Sequence, residues 1–230
     1  MQPWKTIQRV ATPEGSLELR QRGERSFLIT VGGRVLMTSE AHRSETELAE
    51  LACAAMAHRP RPRVLLGGLG MGFTLRAVLD ELPAAAEVTV VDLNPAVVAW
   101  CEGPLAFLTK SAITDRRVKV VVGDVARAIT DARAGAYDAI ILDLYEGPHQ
   151  ANNRVLDPLY GPAALRRTAA ALTPDGVFAI WSEEPDKAFE TRLGAAFKVD
   201  RHKGSRGGRK HVIYLGTPGA PPRFFPKRST

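Results

Sequence analysis

A chain of 230 residues is long enough for one α/β domain and a small additional region. Hydrophobic residues make up 45% of it, so a large core can form and a wholly disordered chain is excluded. The N-terminus lacks the apolar region of a signal peptide, and no run of about 18 apolar residues is present to cross a bilayer. These features predict a soluble, cytoplasmic protein without a membrane partner.

The two cysteines, Cys53 and Cys101, lie in apolar, helix-like segments, which predicts buried, reduced thiols. No group of Cys or His has the spacing of metal ligands, so we expect no metal. Much of the net charge of +6 comes from residues 201–211 and from the tail at 223–230. A solvated basic loop accounts for this charge, and without a nucleic-acid-binding motif we expect no nucleic-acid partner.

The N-terminal segment alternates apolar and polar residues in short runs between positions 16 and 38. Period-two patterning that is broken by a pair of glycines, Gly32 and Gly33, is typical of β-hairpins. Residues 1–43 are therefore predicted to form an N-terminal β-hairpin region.

The period then changes to that of a helix over residues 44–57. Ser44, with Glu47 three residues later, has the pattern of a capping box, which predicts that Ser44 is the N-cap of this helix. From residue 63 onward, apolar strands alternate with amphipathic helices. The five strands are predicted at 63–68, 88–93, 118–124, 137–145 and 176–182.

Strands that are apolar throughout, with helices between them, predict a mostly parallel α/β sheet covered on both faces. Residues 196–217 add an antiparallel hairpin. A Rossmann-like, nucleoside-binding catalytic domain is therefore predicted over 44–217, followed by a basic, Pro-rich tail at 218–230. Because ligands of such sheets bind at the carboxyl ends of the strands, the residues directly after each strand are the candidates for a site.

The first strand ends in GGLGMG, in which Gly68, Gly70 and Gly72 lead into a helix. Such a turn lets a ligand approach the backbone, and the helix N-terminus favours electron-rich groups. The second strand ends at Asp92, about twenty residues further on, where nucleotide-binding folds place a carboxylate that accepts hydrogen bonds from the ribose. Leu93 follows as a further predicted cofactor contact.

The third strand ends at Asp124, whose carboxylate is predicted to accept a hydrogen bond from the adenine amino group, with Val125 near the ring; a helix cap is the alternative role. The fourth strand ends at Asp143, which Tyr145 and Glu146 follow. Carboxylates at this edge cost free energy unless they are used or paired, so these three residues are the predicted catalytic group.

Two loops supply candidate substrate contacts. His42 lies in the loop before the first helix, where a solvent-exposed histidine without a role is the alternative. The polar stretch 149–160 follows the catalytic turn and is predicted to act as a lid, with Tyr160 as its contact to the substrate.

Taken in order, the segments VLLGGLGMGFTLR, VTVVDLNPAVV, VVVGDVARAI, YDAIILDLYEGP and LTPDGVFAIW resemble the spermidine synthase (polyamine aminopropyltransferase) family. More broadly, they resemble the class I S-adenosylmethionine-dependent methyltransferases. The resemblance implies a transferase with a Rossmann-like methyltransferase sheet, mostly parallel with a C-terminal antiparallel hairpin, after a small N-terminal β-hairpin region.

The resemblance also implies a sulfonium nucleoside cofactor, S-adenosylmethionine or its decarboxylated form, and a small-molecule amine acceptor. By it, the three glycines face the sulfonium side chain, Asp92 the ribose and Asp124 the adenine. Asp143, which also borders the cofactor, and Glu146 occupy the places of the family's two acidic residues, which orient and deprotonate the amine. Glu47 matches the Glu of a substrate-binding Tyr-His-Glu group, and a homodimer is implied by the resemblance alone.

Departures from the family leave the reaction open. The synthases carry an acidic residue within the glycine motif and a Gln in the loop before it, whereas this motif has no acid and Met37 stands near the Gln position. These differences fit a methyltransferase, or another enzyme that consumes S-adenosylmethionine, as the alternative. A non-catalytic nucleoside- or nucleic-acid-binding protein is a second alternative. A nicotinamide dehydrogenase explains neither Asp124 nor the acidic pair that begins at Asp143.

Overall fold

Two β-sheets and six α-helices make up the part of the chain that the computed structural model describes, residues 2–145, 147–148, 156–204 and 211–219. The strands are β1 Lys5–Thr12, β2 Gly15–Arg22, β3 Ser26–Val31, β4 Arg34–Thr38, β5 Arg63–Gly67, β6 Glu87–Asp92, β7 Val118–Val122, β8 Tyr137–Leu142, β9 Leu172–Ser182, β10 Phe197–Lys203 and β11 Val212–Pro218. The helices are α1 Arg43–Ala54, α2 Phe73–Glu81, α3 Pro95–Glu102, α4 Val125–Thr130, α5 Pro162–Ala171 and α6 Lys187–Gly194.

The N-terminal sheet has four antiparallel strands in the order β1-β2-β3-β4. Alternate side chains of β2 and β3, among them Leu17, Leu19 and Ile29, are buried, as period-two patterning predicts. β1 is an edge strand that is not among the predicted elements. Six of its eight residues are exposed, so no buried alternation marks it in the sequence.

The larger sheet has seven strands in the order β10-β11-β9-β8-β5-β6-β7. Strands β5 to β9 are parallel, while β11 and β10 extend the sheet as an antiparallel hairpin. The predicted Rossmann-like α/β fold is therefore confirmed. The chain passes from β5 to β6 and β7 and then crosses back to β8, so the winding reverses between β5 and β8. The carboxyl ends of these two strands are where such a sheet forms a ligand crevice.

The first turn of α1 differs from the predicted capping box. The N-cap is His42, two residues before Ser44. The Ser44 hydroxyl donates to Oε2 of Glu45 at 2.6 Å instead of capping the backbone, so the capping-box interpretation is wrong. Asn94 shows the regular alternative at α3, where its Oδ1 accepts the N–H of Ala96 at 3.0 Å.

One apolar cluster joins the two sheets. It contains Leu19 and Phe27 of the N-terminal sheet, Leu48 of α1 and Leu66 of β5, all fully buried. A second cluster fills the opposite face of the larger sheet. Both faces of that sheet are therefore covered, as its continuous apolar strands predict. Within the described ranges, no helix is both long and apolar enough to cross a membrane.

Candidate functional site

The glycine turn, residues 67–72, connects β5 to α2. Gly68, Gly70 and Gly72 have positive φ angles of 89°, 53° and 83°, which glycine adopts more readily than any other residue. A Cβ atom at Gly68 would lie 2.3 Å from the carbonyl oxygen of Asp143, because the turn lies directly against the end of β8. The turn is therefore closely packed and requires glycine, and it lies where the winding of the sheet reverses.

Asp92, at the end of β6, holds the glycine turn from one side. Its Oδ2 accepts the N–H of Leu69 at 2.8 Å, and its Oδ1 accepts the N–H of Asn94 at 2.9 Å. A carboxylate oxygen has a second lone pair beyond one such bond. The half-buried carboxylate is therefore oriented without a ligand, beside the exposed side chain of Leu93.

Two sulfur atoms hold the middle of the glycine turn. The N–H of Met71 donates to Sδ of Met37 at 3.2 Å, and the thiol of Cys101 donates to the carbonyl oxygen of Gly70 at 3.3 Å. Burial, reinforced by nearby carboxylates, raises the pKa of Cys101 to about 12, so the thiol keeps the proton that it donates. Because Met37 belongs to β4, the N-terminal sheet contributes directly to the turn.

Asp124, after β7, caps α4 through its Oδ1, which accepts the N–H of Ala126 at 2.8 Å. The helix-cap role that the sequence left open is therefore present. The side chain is also exposed at the edge of the sheet, and a cap of this kind occupies only one oxygen. Val125 is buried beside it, with its Cγ2 placed 2.8 Å from a Cβ built at Gly67.

Asp143 directly follows β8, and its N–H donates to the carbonyl oxygen of Gly67 at 2.9 Å. Its carboxylate accepts the hydroxyl of Thr74, in the first turn of α2. Burial, and after it the negative charge of Glu45, raise the pKa of Asp143 to about 7, while the Thr74 hydrogen bond acts in the opposite direction. A carboxylate with such a pKa is suited to proton exchange near neutral pH.

An aspartate near the start of β8 has a structural role and serves as a comparison for Asp143. Asp138, at the other end of the strand, is 2% exposed and pairs with Arg59 at 3.0 Å and Arg63 at 3.3 Å. Among the described residues, no cation forms an ion pair with Asp143. Because buried charges are normally paired, the Asp143 end of β8 is the end that has negative charge to offer a ligand.

Glu45 is the residue of this site that the sequence interpretation missed. It is 8% exposed and lies on the same helical stripe of α1 as Leu48 and Ala52. A carboxylate on an apolar stripe is the signal that identifies it. Glu47, the residue predicted instead, lies on a different face of α1, with its Oε2 3.5 Å from Nε2 of His211.

Two predicted contacts lie where the N-terminal sheet meets the larger sheet. His42 is exposed, and its ring stacks on that of Phe73, which follows the glycine turn, at 4.1 Å between centroids. Tyr145 is also exposed, and the guanidinium of Arg34 from β4 lies 5.2 Å from the centre of its ring. Both aromatic side chains therefore lie near the glycine turn and the end of β8, in contact with the turn's first helical residue and with β4.

The predicted lid is only partly described. Tyr160 is buried in the second apolar cluster, where its ring meets Phe189 edge-on at 5.6 Å. The ring of Tyr160 therefore has a packing role in the core, and its contact with the acceptor stays a prediction. Glu146 and residues 149–155 lie outside the described residues.

Comparison of the sequence with models of protein families shows to which family this chain is related. The spermine/spermidine synthase domain matches residues 46–191, more than half of the 230 residues. The chain belongs to the spermine/spermidine synthase family. The family predicted from the five sequence segments is thus confirmed.

The names of curated relatives of this spermine/spermidine synthase family member indicate two kinds of transfer reaction. Polyamine aminopropyltransferase 2 of Caldanaerobacter subterraneus subsp. tengcongensis is 39% identical over 110 residues, 47% of this chain and 32% of that protein. Putrescine N-methyltransferase 4 of Nicotiana tabacum is 28% identical over 156 residues, 68% of this chain and 38% of that protein. The chain therefore spans well under half the length of these two curated relatives.

A solved structure supports the fold of this spermine/spermidine synthase family member. Spermidine synthase from Thermotoga maritima matches it with a TM-score of 0.75 and 18% identity, over 93% of this chain and 73% of that one. Likeness at this identity establishes the fold alone. In the described part of the chain, no three His, Cys, Asp or Glu side chains are grouped to hold a metal ion.

Proposed function

We propose that this family member is a transferase that alkylates an amine with a sulfonium nucleoside, S-adenosylmethionine or its decarboxylated form. The observation that carries the proposal is the setting of Asp143. This carboxylate lies beside a bare glycine turn, next to a second carboxylate, and no described cation pairs with it. Such a site attracts positive charge, and both reactants of the proposed reaction are positively charged.

The edge of the larger sheet has the features that a sulfonium nucleoside requires. In this proposal the backbone of the glycine turn, at the N-terminus of α2, faces the sulfonium side chain. Asp92 offers oriented oxygens to the ribose hydroxyls, with Leu93 exposed beside them. Asp124 offers an acceptor to the adenine amino group, and Val125 an apolar surface to the ring. These assignments are part of the proposal.

The acidic residues of the chain perform the proton chemistry. An acceptor ammonium has no free lone pair until it loses a proton, and in this proposal Asp143 takes that proton, with Glu146 as the second acid by its match to the family motif. The sulfonium supplies a carbon that is bonded to a good leaving group. As the amine nitrogen bonds to this carbon, the C–S bond breaks and its electron pair passes to sulfur. The products are an alkylated ammonium and a neutral thioether.

Transfer of an aminoalkyl arm is the reaction that we favour. Asp143 and Glu45 place negative charge beside the glycine turn, and no described Lys or Arg pairs with either of them to receive a carboxylate. A decarboxylated side chain that ends in an ammonium complements this charge better than one that retains its carboxylate. The likeness to a polyamine aminopropyltransferase supports the same choice.

Methyl transfer from intact S-adenosylmethionine is the second candidate, and the other side of the glycine turn favours it. Sδ of Met37 lies 2.8 Å from a Cβ built at Gly70, so a neutral thioether borders the turn there. The turn itself contains no acid to hold the ammonium of a decarboxylated side chain. The likeness to a putrescine N-methyltransferase extends over 68% of the chain.

Product analysis separates these two reactions. When the purified protein is incubated with each sulfonium nucleoside and a diamine, we expect methylthioadenosine from the decarboxylated form and little S-adenosylhomocysteine from the intact form, as measured by mass spectrometry. A protein-free incubation corrects for spontaneous breakdown. If S-adenosylhomocysteine were the main product, methyl transfer would replace aminoalkyl transfer. If neither product formed with any amine, the catalytic proposal would fail.

Binding of a cationic cofactor is expected to release a proton from Asp143. With a pKa of about 7 in the empty site, this carboxyl is roughly half protonated at pH 7. A nearby sulfonium favours the ionised form and lowers the pKa, so up to about half a proton should leave at this pH. Calorimetric titrations in buffers of different ionisation enthalpy measure the number released. Methylthioadenosine, which is neutral, serves as the control, and equal proton release by both ligands would contradict the assignment.

The acceptor contacts and the assembly complete the proposal. His42 and Glu47 are proposed acceptor contacts, because one directly precedes α1 and the other lies in its first turns, as Glu45 does. The proposed partner is a small-molecule amine, and the proposed assembly is a homodimer, on the family resemblance. A cytoplasmic location is proposed on the same basis.

A further inference from the structure

We propose that Glu45 is a second acidic residue of the acceptor site, which binds the cationic amine together with Asp143. This inference rests on the proposed function, since it concerns the same site. Glu45 does not correspond to any residue that the sequence segments placed in that site. It reaches the site because α1 packs against both α2 and β8.

The burial of Glu45 requires an explanation. Its residue is 8% exposed, and the one hydrogen-bond partner of its carboxylate among the described residues is the hydroxyl of Ser44, at 2.6 Å from Oε2. Carboxylates are rarely buried unless a cation or several donors compensate them. A position in the first turn of a helix helps to stabilise the negative charge. It does not replace the missing countercharge.

Among the described residues, the neighbours of Glu45 and Asp143 supply no countercharge. From α2, Thr74 offers Asp143 a hydroxyl, and from the glycine turn, Gly67 offers a carbonyl oxygen to its N–H. The charge that acts on Asp143 is that of Glu45. Elsewhere on β8, Asp138 has two arginines. Because no arginine within the described ranges pairs with these two carboxylates, the proposal assigns their countercharge to a cationic ligand.

The two carboxylates then have separate tasks. Asp143, beside the glycine turn, is adjacent to the transferred carbon and takes the proton of the amine. Glu45 keeps negative charge in the site after that proton has moved, so the site remains attractive to a cation throughout the reaction. It also opposes ionisation of Asp143 in the empty protein, which keeps the proton acceptor from being fully charged before the substrate arrives.

The test compares Glu45→Gln with Glu50→Gln, a matched change at an exposed residue of the same helix. With 1,4-diaminobutane as the probe, we expect the KM of E45Q to rise at least about tenfold, because a charge-assisted contact is lost. For E50Q we expect a change of less than about threefold, on the scale of an exposed surface charge. The acid limb of the pH profile of kcat/KM should move to lower pH in E45Q, because Asp143 loses a neighbouring negative charge.

A second measurement separates this inference from the proposed function. The affinity for 1,4-diaminobutane is measured by calorimetry in the presence of methylthioadenosine, which requires no turnover. If the wild type binds the diamine and E45Q binds it at least tenfold more weakly, the role of Glu45 stands even without catalysis. If the enzyme is active and E45Q retains the wild-type KM and pH limb, the role of Glu45 is overturned while the function stands. If the wild type neither binds nor converts the diamine, both fail.

Ser44→Ala provides a further variant in case E45Q does not fold. It keeps the charge of Glu45 and removes the hydroxyl that anchors it. We expect KM for the diamine to rise about threefold with no movement of the acid limb, since the charge near Asp143 is retained. An unchanged KM in Ser44→Ala, with E45Q unfolded, would overturn the role of Glu45.

Discussion

Replacement of Asp143 by Asn is expected to lower kcat about a thousandfold, the scale of a lost proton acceptor. The amide has nearly the same shape and is still able to accept the Thr74 hydroxyl, so the geometry of the site is kept. Affinity for methylthioadenosine should therefore stay within about threefold of the wild type, because the proposed contacts of this neutral ligand are with the glycine turn and not with the charge of Asp143. Steady-state kinetics and calorimetry measure the two quantities. Retention of more than a tenth of the wild-type kcat would refute the role of Asp143.

The stability of the same variant distinguishes a functional carboxylate from a structural one. The pKa of Asp143 is about 7 in the folded protein and 3.8 as its ordinary value, so the folded state binds more protons between these limits. The free energy of unfolding of the wild type therefore falls as pH rises from about 4 to about 7, and the full penalty is present above pH 7. Asn does not titrate, so Asp143→Asn should be more stable than the wild type at pH 8, although it is nearly inactive.

Asp138→Asn is the matched control on the same strand. Asp138 is paired with Arg59 and Arg63, so the loss of its charge leaves two guanidinium groups with a weaker partner. A destabilisation of about 3 kcal/mol is expected, on the scale of a broken buried ion pair. The kcat of the folded variant should remain near that of the wild type. A similar stability change in both variants would show that the two aspartates do not differ in role.

Replacement of Gly68 by Ala is expected to lower the free energy of unfolding by about 2–5 kcal/mol, from the positive φ and from steric overlap together. The added Cβ would meet the carbonyl oxygen of Asp143 at 2.3 Å, so the backbone must move. For a chain of this length, the melting temperature should fall on the order of 10 °C. The movement displaces Asp143 as well, so nucleoside affinity should drop at least tenfold, about the effect of small misplacements in a site.

Gly33→Ala isolates the effect of the contact from that of the backbone angle. Gly33 has a φ of 82°, close to the 89° of Gly68, but a Cβ there would have no atom within 4 Å. We expect a loss of about 1–2 kcal/mol and no change in nucleoside affinity. Thermal unfolding measures the stability of both variants, and calorimetric titration measures their affinity for the nucleoside. Equal effects of the two substitutions on affinity would contradict the placement of the cofactor at the glycine turn.

The parallel strands are predictable from the sequence because each is a short, mostly apolar run between helical segments. A strand that is buried on both faces is apolar at most positions, so it is recognised as an apolar run without any alternation of polar and apolar residues. The edge strand β1 is not predictable in this way, because its exposed residues carry no pattern of burial. The start of α1 is mispredicted for a local reason: the Ser44 hydroxyl bonds to Glu45, whereas the capping box requires it to bond to the backbone.

The residues of the site divide along similar lines. Gly68, Asp92 and Asp143 are found from the sequence because each lies at the carboxyl end of a strand, and parallel strands end at one edge. Met37 and Glu45 belong to β4 and α1, which precede the larger sheet in the chain. They reach the site only through the packing of one element on another. Periodicity marks Glu45 as a carboxylate on an apolar stripe, but it does not report which element that stripe contacts.

The contact of Met37 with the glycine turn joins the two sheets energetically. Its thioether accepts the N–H of Met71, so one hydrogen bond connects β4 of the N-terminal sheet with the glycine turn of the larger sheet. By thermodynamic linkage, a nucleoside that stabilises the glycine turn also stabilises the N-terminal sheet. A ligand that stabilises the N-terminal sheet raises the affinity for the nucleoside by the same coupling free energy. A molecule that binds only the outer strands of that sheet would therefore change the affinity for the proposed cofactor without occupying the cofactor site.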